Sequence, residues 1–362
     1  MSTERRRGPG IAFAFAAVAL SWGITATHAH VGDPMLLEDC GSCHVGHGLP
    51  GQPMLAKAEE EFCYQCHGSA AKRSAMVSAG KLSPVAQLKD VEREFAKAFR
   101  HPVETGIGHS PTERLPSFSG AAVAHAECVD CHNPHQRNSA GRPQSFAVQG
   151  YSLSGQHRTT SASEYEVCFK CHSGRPGADI ARRQILEEFA LDGRSQHPVT
   201  RPAQGTALPS LRRGELVGAT LRCSDCHTSD DPSGPRGPHG SNHRFLLSGN
   251  YVTDPVATES ELAYAFCYSC HDRASILANE SFPLHREHVE GDAASGRPGT
   301  SCYTCHASHG SREQPFLLRF NPNAVTRDEL TGLEQYVQTG TRSGQCWLRC
   351  HGVNHGPKEY RP

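Results

Sequence analysis

Apolar residues recur at helical spacing in only a few short stretches of this chain. Residues 88–100 (LKDVEREFAKAFR) place Val91, Phe95 and Phe99 four residues apart, on one face of a helix. Residues 180–191 show a similar apolar stripe, and both stretches run toward a His-Pro-Val sequence, where proline discourages further helix. The pattern predicts short amphipathic helices that each cover some buried group.

The rest of the chain is polar and rich in residues that interrupt regular structure. Residues 327–338 form another helical candidate, and no clear series of alternating apolar and polar residues predicts strands. Loops rich in Gly, Pro and Ser, such as 232–241 and 291–300, would ordinarily indicate disorder. Hydrophobic residues make up 37% of the 362 residues, so few aliphatic side chains are available for a conventional core. We expect a mostly irregular fold with short α-helices.

The N-terminal segment has the three parts of a secretory signal peptide. Arg5, Arg6 and Arg7 precede an apolar run over 11–20, and small residues follow as far as residue 29. The apolar run is short for a membrane span, although an uncleaved anchor is an alternative. We expect export to the periplasm, the outer membrane or the extracellular space, with no integral membrane segment in the mature chain.

The charge balance argues against nucleic acid as a partner. The chain has 36 Lys and Arg against 37 Asp and Glu, a formal net charge of -1. Nucleic-acid binding favours a strongly basic face.

All 16 cysteines fall into pairs that are followed directly by histidine. Seven pairs have the spacing Cys-x-x-Cys-His, and the eighth has one extra residue between its cysteines. The paired cysteines are Cys40 and Cys43, Cys63 and Cys66, Cys128 and Cys131, Cys168 and Cys171, Cys223 and Cys226, Cys267 and Cys270, Cys302 and Cys305, and Cys346 and Cys350. The histidines that follow them are His44, His67, His132, His172, His227, His271, His306 and His351.

The Cys-x-x-Cys-His pattern is the attachment signature of c-type haem. Two thiols reach one edge of the porphyrin, and the adjacent imidazole lies under the ring and binds iron. Disulfides are the common use of cysteine in exported proteins, but they do not require a histidine after each pair. Structural zinc would use the ligands of two cysteine pairs and leave the eight histidines unexplained. We therefore predict eight covalently attached haem c groups, one of them at the stretched eighth motif.

The motifs alternate between two types, which divides the chain into four repeats. One type carries a second histidine three residues on, as in His44-Val-Gly-His47, and the other follows an acidic lead-in such as EEEFCYQCH. Each repeat begins at a histidine that Val follows closely. The predicted organisation is a signal peptide over 1–29 and di-haem modules over 30–100, 101–196, 197–287 and 288–362.

The repeats supply a second set of histidines, enough to give each iron a ligand on both faces. This distal set is His30, His47, His101, His135, His197, His239, His288 and His309. Three members have rivals: His243 for His239, His285 for His288, and His355 for His30. Which distal histidine serves which haem stays open at the level of sequence.

Residues 30 to 355 resemble the doubled-CxxCH multihaem cytochromes c. The resemblance rests on the alternating motif types and on the His-Pro-Val sequences. Members of this group include periplasmic electron-transfer cytochromes and haem chains threaded through outer-membrane porins. It implies little regular structure, a core packed with closely spaced bis-histidine haems, and partners that are other redox proteins: cytochromes, an outer-membrane porin or identical copies.

Two functions follow from these expectations. The first is electron transfer along fully ligated irons, which leaves no position open for a substrate and so makes the protein no enzyme. The alternative is an octahaem reductase of the nitrite, hydroxylamine or tetrathionate type. That activity needs one iron with an open or displaceable sixth position, and the stretched motif at Cys346 is the candidate for it.

Overall fold

Short helices carry most of the cysteine motifs. The computed structural model describes residues 30, 33–46, 54–55, 57–103, 126–135, 148–173, 185–203, 209–212 and 218–362. The predicted signal peptide over 1–29 and the predicted ligand His47 lie outside the described residues. Within the described ranges, the fold is mostly irregular with short helices and small sheets, as the sequence predicts.

The helices of the described ranges are four to nine residues long. They are α1 (Glu59–His67), α2 (Ala70–Ser78), α3 (Cys128–Cys131), α4 (Glu164–His172), α5 (Ile185–Glu188), α6 (Cys223–Cys226), α7 (Ala265–Tyr268), α8 (Arg273–Leu277), α9 (His285–Glu290) and α10 (Cys302–Cys305). A 3₁₀ turn, Asp39–Ser42, holds the first cysteine of the chain. Acidic residues open α1, where they complement the partial positive charge of the helix N-terminus.

Pairs of two-residue strands join segments that are far apart in sequence. β1 (Phe99–Arg100) pairs with β5 (Gly240–Ser241), and β4 (Ser195–Gln196) pairs with β8 (Gly310–Ser311). Two local hairpins complete this group: β2 (Gly150–Tyr151) with β3 (His157–Arg158), and β6 (Gly291–Asp292) with β7 (Arg297–Pro298). All four pairs are antiparallel.

A four-stranded sheet at the C-terminus corrects two sequence predictions. Its strands are β9 (Val325–Thr326), β10 (Gln335–Gly340), β11 (Ser343–Cys350) and β12 (Val353–Tyr360), with β11 between β10 and β12 and also paired with β9. The predicted helix over 327–338 and the predicted lack of strands are therefore wrong here. Partner strands supply the backbone hydrogen bonds, and this tertiary context overrides the weak local pattern.

The predicted helix over 88–100 is also wrong. This segment forms a 3₁₀ turn, Glu94–Ala96, and then enters β1. Its apolar stripe is nevertheless buried, since Phe95 and Val91 pack against Tyr64 in one cluster. Pairing of β1 with a strand about 140 residues away takes the place of the last helical turn. Within 180–191, the described part begins at residue 185, and α5 (Ile185–Glu188) forms the predicted helix over only its first four residues.

Among the residues that the structure describes, buried apolar side chains form small clusters. One contains Ala263, Tyr264, Tyr268 and Val289; a second contains Tyr64, Phe95 and Val103; a third contains Phe320, Val325 and Leu348. A continuous cavity of about 3660 Å³ runs among them. In the part of the chain that the structure describes, no helix has the length and apolar character needed to cross a membrane.

Candidate haem-binding sites

All sixteen cysteines and all eight motif histidines border the large cavity. Its volume of about 3660 Å³ is several times the upper limit of about 1,000 Å³ for an ordinary small-molecule pocket. The apolar walls include Phe95, Phe189 and Tyr268. The cavity is therefore large enough for several bulky apolar groups held side by side.

The chain turns in the same way at three of the Cys-x-x-Cys-His motifs. In α3, α6 and α10, the motif histidine donates its backbone N–H to the carbonyl of the first cysteine, at 2.8 to 2.9 Å. Residues three apart share one face of such a turn, so both thiols of a motif point the same way. The histidine then leaves the turn in an extended conformation, as His132 does with φ -120° and ψ 128°.

Seven of the eight motif histidines are involved in ring pairs that share one spacing. In each pair, two imidazole ring centres lie 5.8 to 6.4 Å apart. The pairs are His30–His67, His44–His135, His101–His172, His132–His239, His197–His271, His227–His309 and His285–His306. Each pair joins one motif histidine to one histidine outside the motifs.

This spacing fits a metal ion between the two rings. An imidazole nitrogen lies about 2 Å from the metal it binds, and the ring centre lies about 1 Å further out, so two opposed imidazoles have ring centres about 6 Å apart. Direct stacking would bring the rings closer than this. The residues therefore fit an iron porphyrin bound from both faces.

Six of the seven pairs follow a rule that alternates along the chain; the seventh joins His306 of the fourth module to His285 of the third. The motifs at His67, His172 and His271 pair with the histidine that opens their own module. The motifs at His44, His132 and His227 pair with a histidine of the next module. In the first group, both histidines of a pair belong to the same module. In the second group, each pair joins one module to the next.

The distal histidines are held by a tertiary unit that occurs twice. His101 Nδ1 lies 2.6 Å from the carbonyl of Pro238, just before His239, and β1 pairs with β5 directly after it. His197 Nδ1 lies 2.7 Å from the carbonyl of Ser308, just before His309, and β4 pairs with β8. His239 therefore occupies the place of His309, despite the longer segment that precedes it.

Two phenylalanines complete this repeated unit. Phe95 packs against the ring of His239 at 5.7 Å, and Phe189 packs against the ring of His309 at 5.5 Å. Their apolar stripes are visible in the sequence. Their role beside a distal histidine is not, because it depends on contacts with a module that lies far along the chain.

Backbone carbonyls orient the motif histidines. His227 Nδ1 lies 2.7 Å from the carbonyl of Phe245, and His306 Nδ1 lies 3.0 Å from that of Phe316. A donor bond from Nδ1 fixes the tautomer and leaves Nε2 free to bind metal, the usual arrangement around a metal-binding imidazole.

Burial keeps these imidazoles in the neutral form that binds metal. It lowers the pKa of His67, His227 and His271 to about 4 in each case. It also lowers the pKa of His239 and of His285 to about 3. Neighbouring histidines act in the same direction.

The structure distinguishes the rivals within the predicted distal set. His30 faces His67, and His239 rather than His243 faces His132. His285 rather than His288 faces His306. His288 instead packs near Tyr360, with ring centres 6.4 Å apart. His135, His101, His197 and His309 each face a motif histidine, as their place in the repeat suggests.

The cysteines of consecutive motifs lie next to one another along the whole chain. Three contacts join first cysteines by a thiol–thiol hydrogen bond: Cys63 with Cys128, Cys168 with Cys223, and Cys267 with Cys302. Four further pairs of second cysteines lie within electrostatic reach: Cys43 with Cys66, Cys131 with Cys171, Cys226 with Cys270, and Cys305 with Cys350. Each motif therefore adjoins the motif before it and the motif after it.

The acidic lead-ins contact the following motif, a role that sequence reasoning did not find. Glu59, at the start of α1, accepts a hydrogen bond from the backbone N–H of Val129 at 2.9 Å, inside the third motif. Glu164, at the start of α4, accepts one from Ser224 at 2.7 Å, inside the fifth motif. The two glutamates hold equivalent places, four residues before a motif cysteine.

The eighth motif has a different local structure. Cys346 and Cys350 both lie in strand β11 rather than in a helical turn. His351 follows in an exposed position with φ 48°. No ring pair of the kind described above joins His351 to another histidine among the described residues.

A comparison with protein families gave a match to the cysteine motifs. The family described as "Doubled CXXCH motif" matches residues 33–72 and 217–276, which contain the first two motifs and the fifth and sixth. Comparisons with curated proteins and with solved structures gave no match. The family match supports a multihaem c-type cytochrome, a class that typically transfers electrons, and the motifs indicate covalently bound haem c.

Proposed function

We propose that this protein is an exported octahaem c-type cytochrome that carries electrons along closely spaced haems bound by two histidines each. Haem would supply the redox-active iron. The thiols of the eight motifs would hold it covalently, and the paired imidazoles would bind it from both faces. The chain would supply position, orientation and exclusion of water.

The observation that carries this proposal is the set of seven imidazole pairs at one spacing. Two histidines on one iron leave no coordination position for a substrate. This arrangement supports electron transfer over the reductase activity of related octahaem enzymes, which needs an open iron.

The contacts between motif cysteines support a single path in sequence order. Groups attached at consecutive motifs would be neighbours, because their cysteines adjoin one another from Cys43 and Cys66 through to Cys305 and Cys350. Electrons would then enter near one end of the chain of motifs and leave near the other. Partners at these ends would be other redox proteins: cytochromes, a porin or a further copy of the chain.

The location of the protein belongs to the same proposal. Its support is the N-terminal sequence, with an arginine cluster at 5–7 and an apolar run at 11–20. Covalent attachment of haem at Cys-x-x-Cys-His motifs takes place outside the cytoplasm, which agrees with export.

Intact mass of the protein purified from an exporting host tests the proposal. Eight haems at about 0.6 kDa each would add about 4.9 kDa to the chain that starts near residue 30. Low-temperature EPR of the oxidised protein should show low-spin ferric haem throughout. A colourless protein would refute the proposal, and a large high-spin signal in the intact protein would favour the reductase.

A further inference from the structure

We propose that the carboxylate of Glu188 lowers the reduction potential of the haem bound between His227 and His309, by accepting a hydrogen bond from the outer ring nitrogen of His309. Glu188 is thus a positioning residue that acts on the iron through its distal ligand. This inference rests on the proposed function, since it requires haem at the fifth motif.

The first argument is the contact itself. Glu188 is the last residue of α5, and its side chain is only 9% exposed. Glu188 Oε2 lies 3.1 Å from His309 Nδ1, and the ring of His309 faces that of His227 with centres 6.0 Å apart. A bond from Nδ1–H to the carboxylate leaves Nε2 as the nitrogen that binds metal. A single imidazole ring therefore separates the carboxylate from the iron site.

The second argument is that Glu188 is held ionised and in a fixed orientation. Its other carboxylate oxygen, Oε1, accepts a hydrogen bond from Arg319 Nη1 at 2.9 Å. A guanidinium stays protonated in proteins, so this contact favours the charged form of the carboxylate. The Arg319 side chain is 43% exposed, whereas Glu188 is buried. Water therefore screens the positive charge of Arg319 more than the negative charge that lies against His309.

The third argument comes from the other copy of the repeated unit, where Glu94 occupies the place of Glu188. Each glutamate directly precedes the phenylalanine that packs against a distal histidine. The backbone carbonyl of Glu94 lies so close to Gly240 that a Cβ atom there would collide with it, and the carbonyl of Glu188 is equally close to Gly310. Each of these glycines directly follows a distal histidine. The two glutamates therefore have the same backbone position relative to that histidine.

The side chains of the two glutamates differ in what they contact. The Glu94 carboxylate lies 2.6 Å from Lys97 Nζ. His239 Nδ1 is buried and has no hydrogen-bond partner among the described residues. One copy of the unit therefore places an anion on its distal histidine, and the other copy does not. Since the shared backbone does not impose the contact between Glu188 and His309, the contact indicates a role for the side chain.

The charge of Glu188 acts unequally on the two oxidation states of the iron. Ferric iron carries one more positive charge than ferrous iron, so a nearby anion stabilises the ferric state more. An anionic acceptor also polarises the N–H bond and makes the imidazole a more basic ligand. Both effects lower the reduction potential. A neutral carbonyl, such as that of Ser308 at His197 Nδ1, lacks the charge and has a smaller effect.

Glu188→Gln in the full exported protein tests the inference, because glutamine can still accept the hydrogen bond from His309 but carries no charge. Anaerobic spectroelectrochemical titration of the haem absorbance is the main readout, together with intact mass and low-temperature EPR. We expect eight haems, all low-spin, and a shift of one haem in eight to higher potential. The equilibrium constant for reduction of that haem should rise about tenfold, which corresponds to about 59 mV for one electron.

Two further variants separate the charge of Glu188 from its packing. Glu187→Gln removes the same charge at the neighbouring, exposed position of α5 and should titrate as the wild type does. Arg319→Gln leaves the carboxylate on His309 without its compensating cation, so the same haem should shift to lower potential at pH 8. Opposite shifts in Glu188→Gln and Arg319→Gln are expected if the charge of the carboxylate sets the potential.

The outcomes separate this inference from the proposed function. Eight low-spin haems with the wild-type titration in Glu188→Gln would overturn the inference alone. A high-spin haem in that variant would overturn it as well, because Glu188 would then hold His309 in place rather than set the potential. An equal shift in Glu187→Gln would overturn it by assigning the effect to net charge.

The variant of Arg319 keeps the test open if Glu188→Gln does not accumulate. A shift of one haem to lower potential in Arg319→Gln would support the inference, and an unchanged or higher potential would overturn it. A wild-type protein without haem would refute the proposed function itself.

Discussion

At the scale of single residues, three of the paired histidines are oriented by a backbone carbonyl at the ring nitrogen Nδ1. His101, His197 and His227 each have Nδ1 within 2.7 Å of a backbone carbonyl. The backbone, rather than a second side chain, therefore sets the direction of each Nε2. Substitution of the residue that contributes the accepting carbonyl would leave this contact in place, so the orientation tolerates changes in neighbouring side chains.

Glu59 is a residue whose ionisation should affect stability near neutral pH. Burial raises the pKa of Glu59 to about 7, and the nearby carboxylates of Glu127, Glu60 and Asp130 raise it further, against a hydrogen bond from Val129 that lowers it. The folded state then binds a proton that the unfolded state has released. Stability from this group is complete below about pH 4.5 and is lost as pH rises through about 7.

Glu59→Gln should remove this dependence. The amide oxygen can still accept the hydrogen bond from Val129, but it carries no charge. We expect the variant to be more stable than the wild type at pH 8 by about 1–2 kcal/mol, after allowance for solvent screening, with little difference at pH 4.5. Guanidinium unfolding of the holoprotein at both pH values measures this. Glu61→Gln, at an exposed position in the same turn, is the control, and equal pH profiles for Glu59→Gln and wild type would refute the prediction.

At the scale of elements, a buried cluster of charged side chains connects the segment before β1 with the segment after the fifth motif. Lys97 Nζ lies 2.6 Å from Glu94 and 2.7 Å from Asp230. Burial would raise the pKa of Asp230, but hydrogen bonds from Lys97 and Asn242 lower it to about 2. The Glu94 side chain is 1% exposed, so its charge depends on Lys97 for compensation.

Lys97→Met should destabilise the protein strongly. Methionine keeps much of the apolar stem but leaves two carboxylates without their cation, one of them fully buried. Removal of one partner of a buried ion pair costs about 3–5 kcal/mol. Thermal unfolding followed by circular dichroism measures the loss.

A second lysine of the same region is a matched control. Lys89 Nζ also reaches the segment after the fifth motif, where it lies 2.6 Å from the carbonyl of Ser233, but this contact is exposed. Lys89→Met should change stability by less than about 0.5 kcal/mol. Equal effects of the two substitutions would show that burial of Lys97 contributes nothing.

The sequence analysis predicted no helices at the cysteine motifs, although the turns there are local, because the two cysteines and the histidine lie within five residues. The helix predicted over 327–338 failed because β10 exists only in contact with β11, whose own pattern is interrupted by cysteines and by Trp347. The prediction of a helix over 88–100 is wrong for a similar reason, since the last residues of this segment form β1, which pairs with β5.

At the scale of the whole molecule, the described residues form no apolar core of the usual size. The buried apolar clusters contain three or four residues each, and the cavity of about 3660 Å³ separates them. Small clusters rarely provide enough stabilisation to offset the entropy of ordering the chain. Folding should therefore depend on the group that fills the cavity.

The chain produced without haem attachment should not fold. Expression without export, in cells that lack the attachment machinery, should give a protein with the circular dichroism of an unfolded chain and rapid cleavage by trypsin. The exported, haem-loaded protein should resist trypsin in the same assay. A haem-free chain with the protease resistance of the loaded protein would contradict this prediction, because the small clusters would then suffice.

The sequence by itself determined the positions of the predicted haem-attachment motifs, because each motif is a local pattern of two thiols and one imidazole within a few residues. It also determined the pool of second ligands, since the repeat marks most of them. Only the tertiary structure decided the pairing. The rings of His132 and His239 lie 6.0 Å apart although 107 positions separate them in the chain, and nothing local specifies that contact. The same holds for His285 opposite His306.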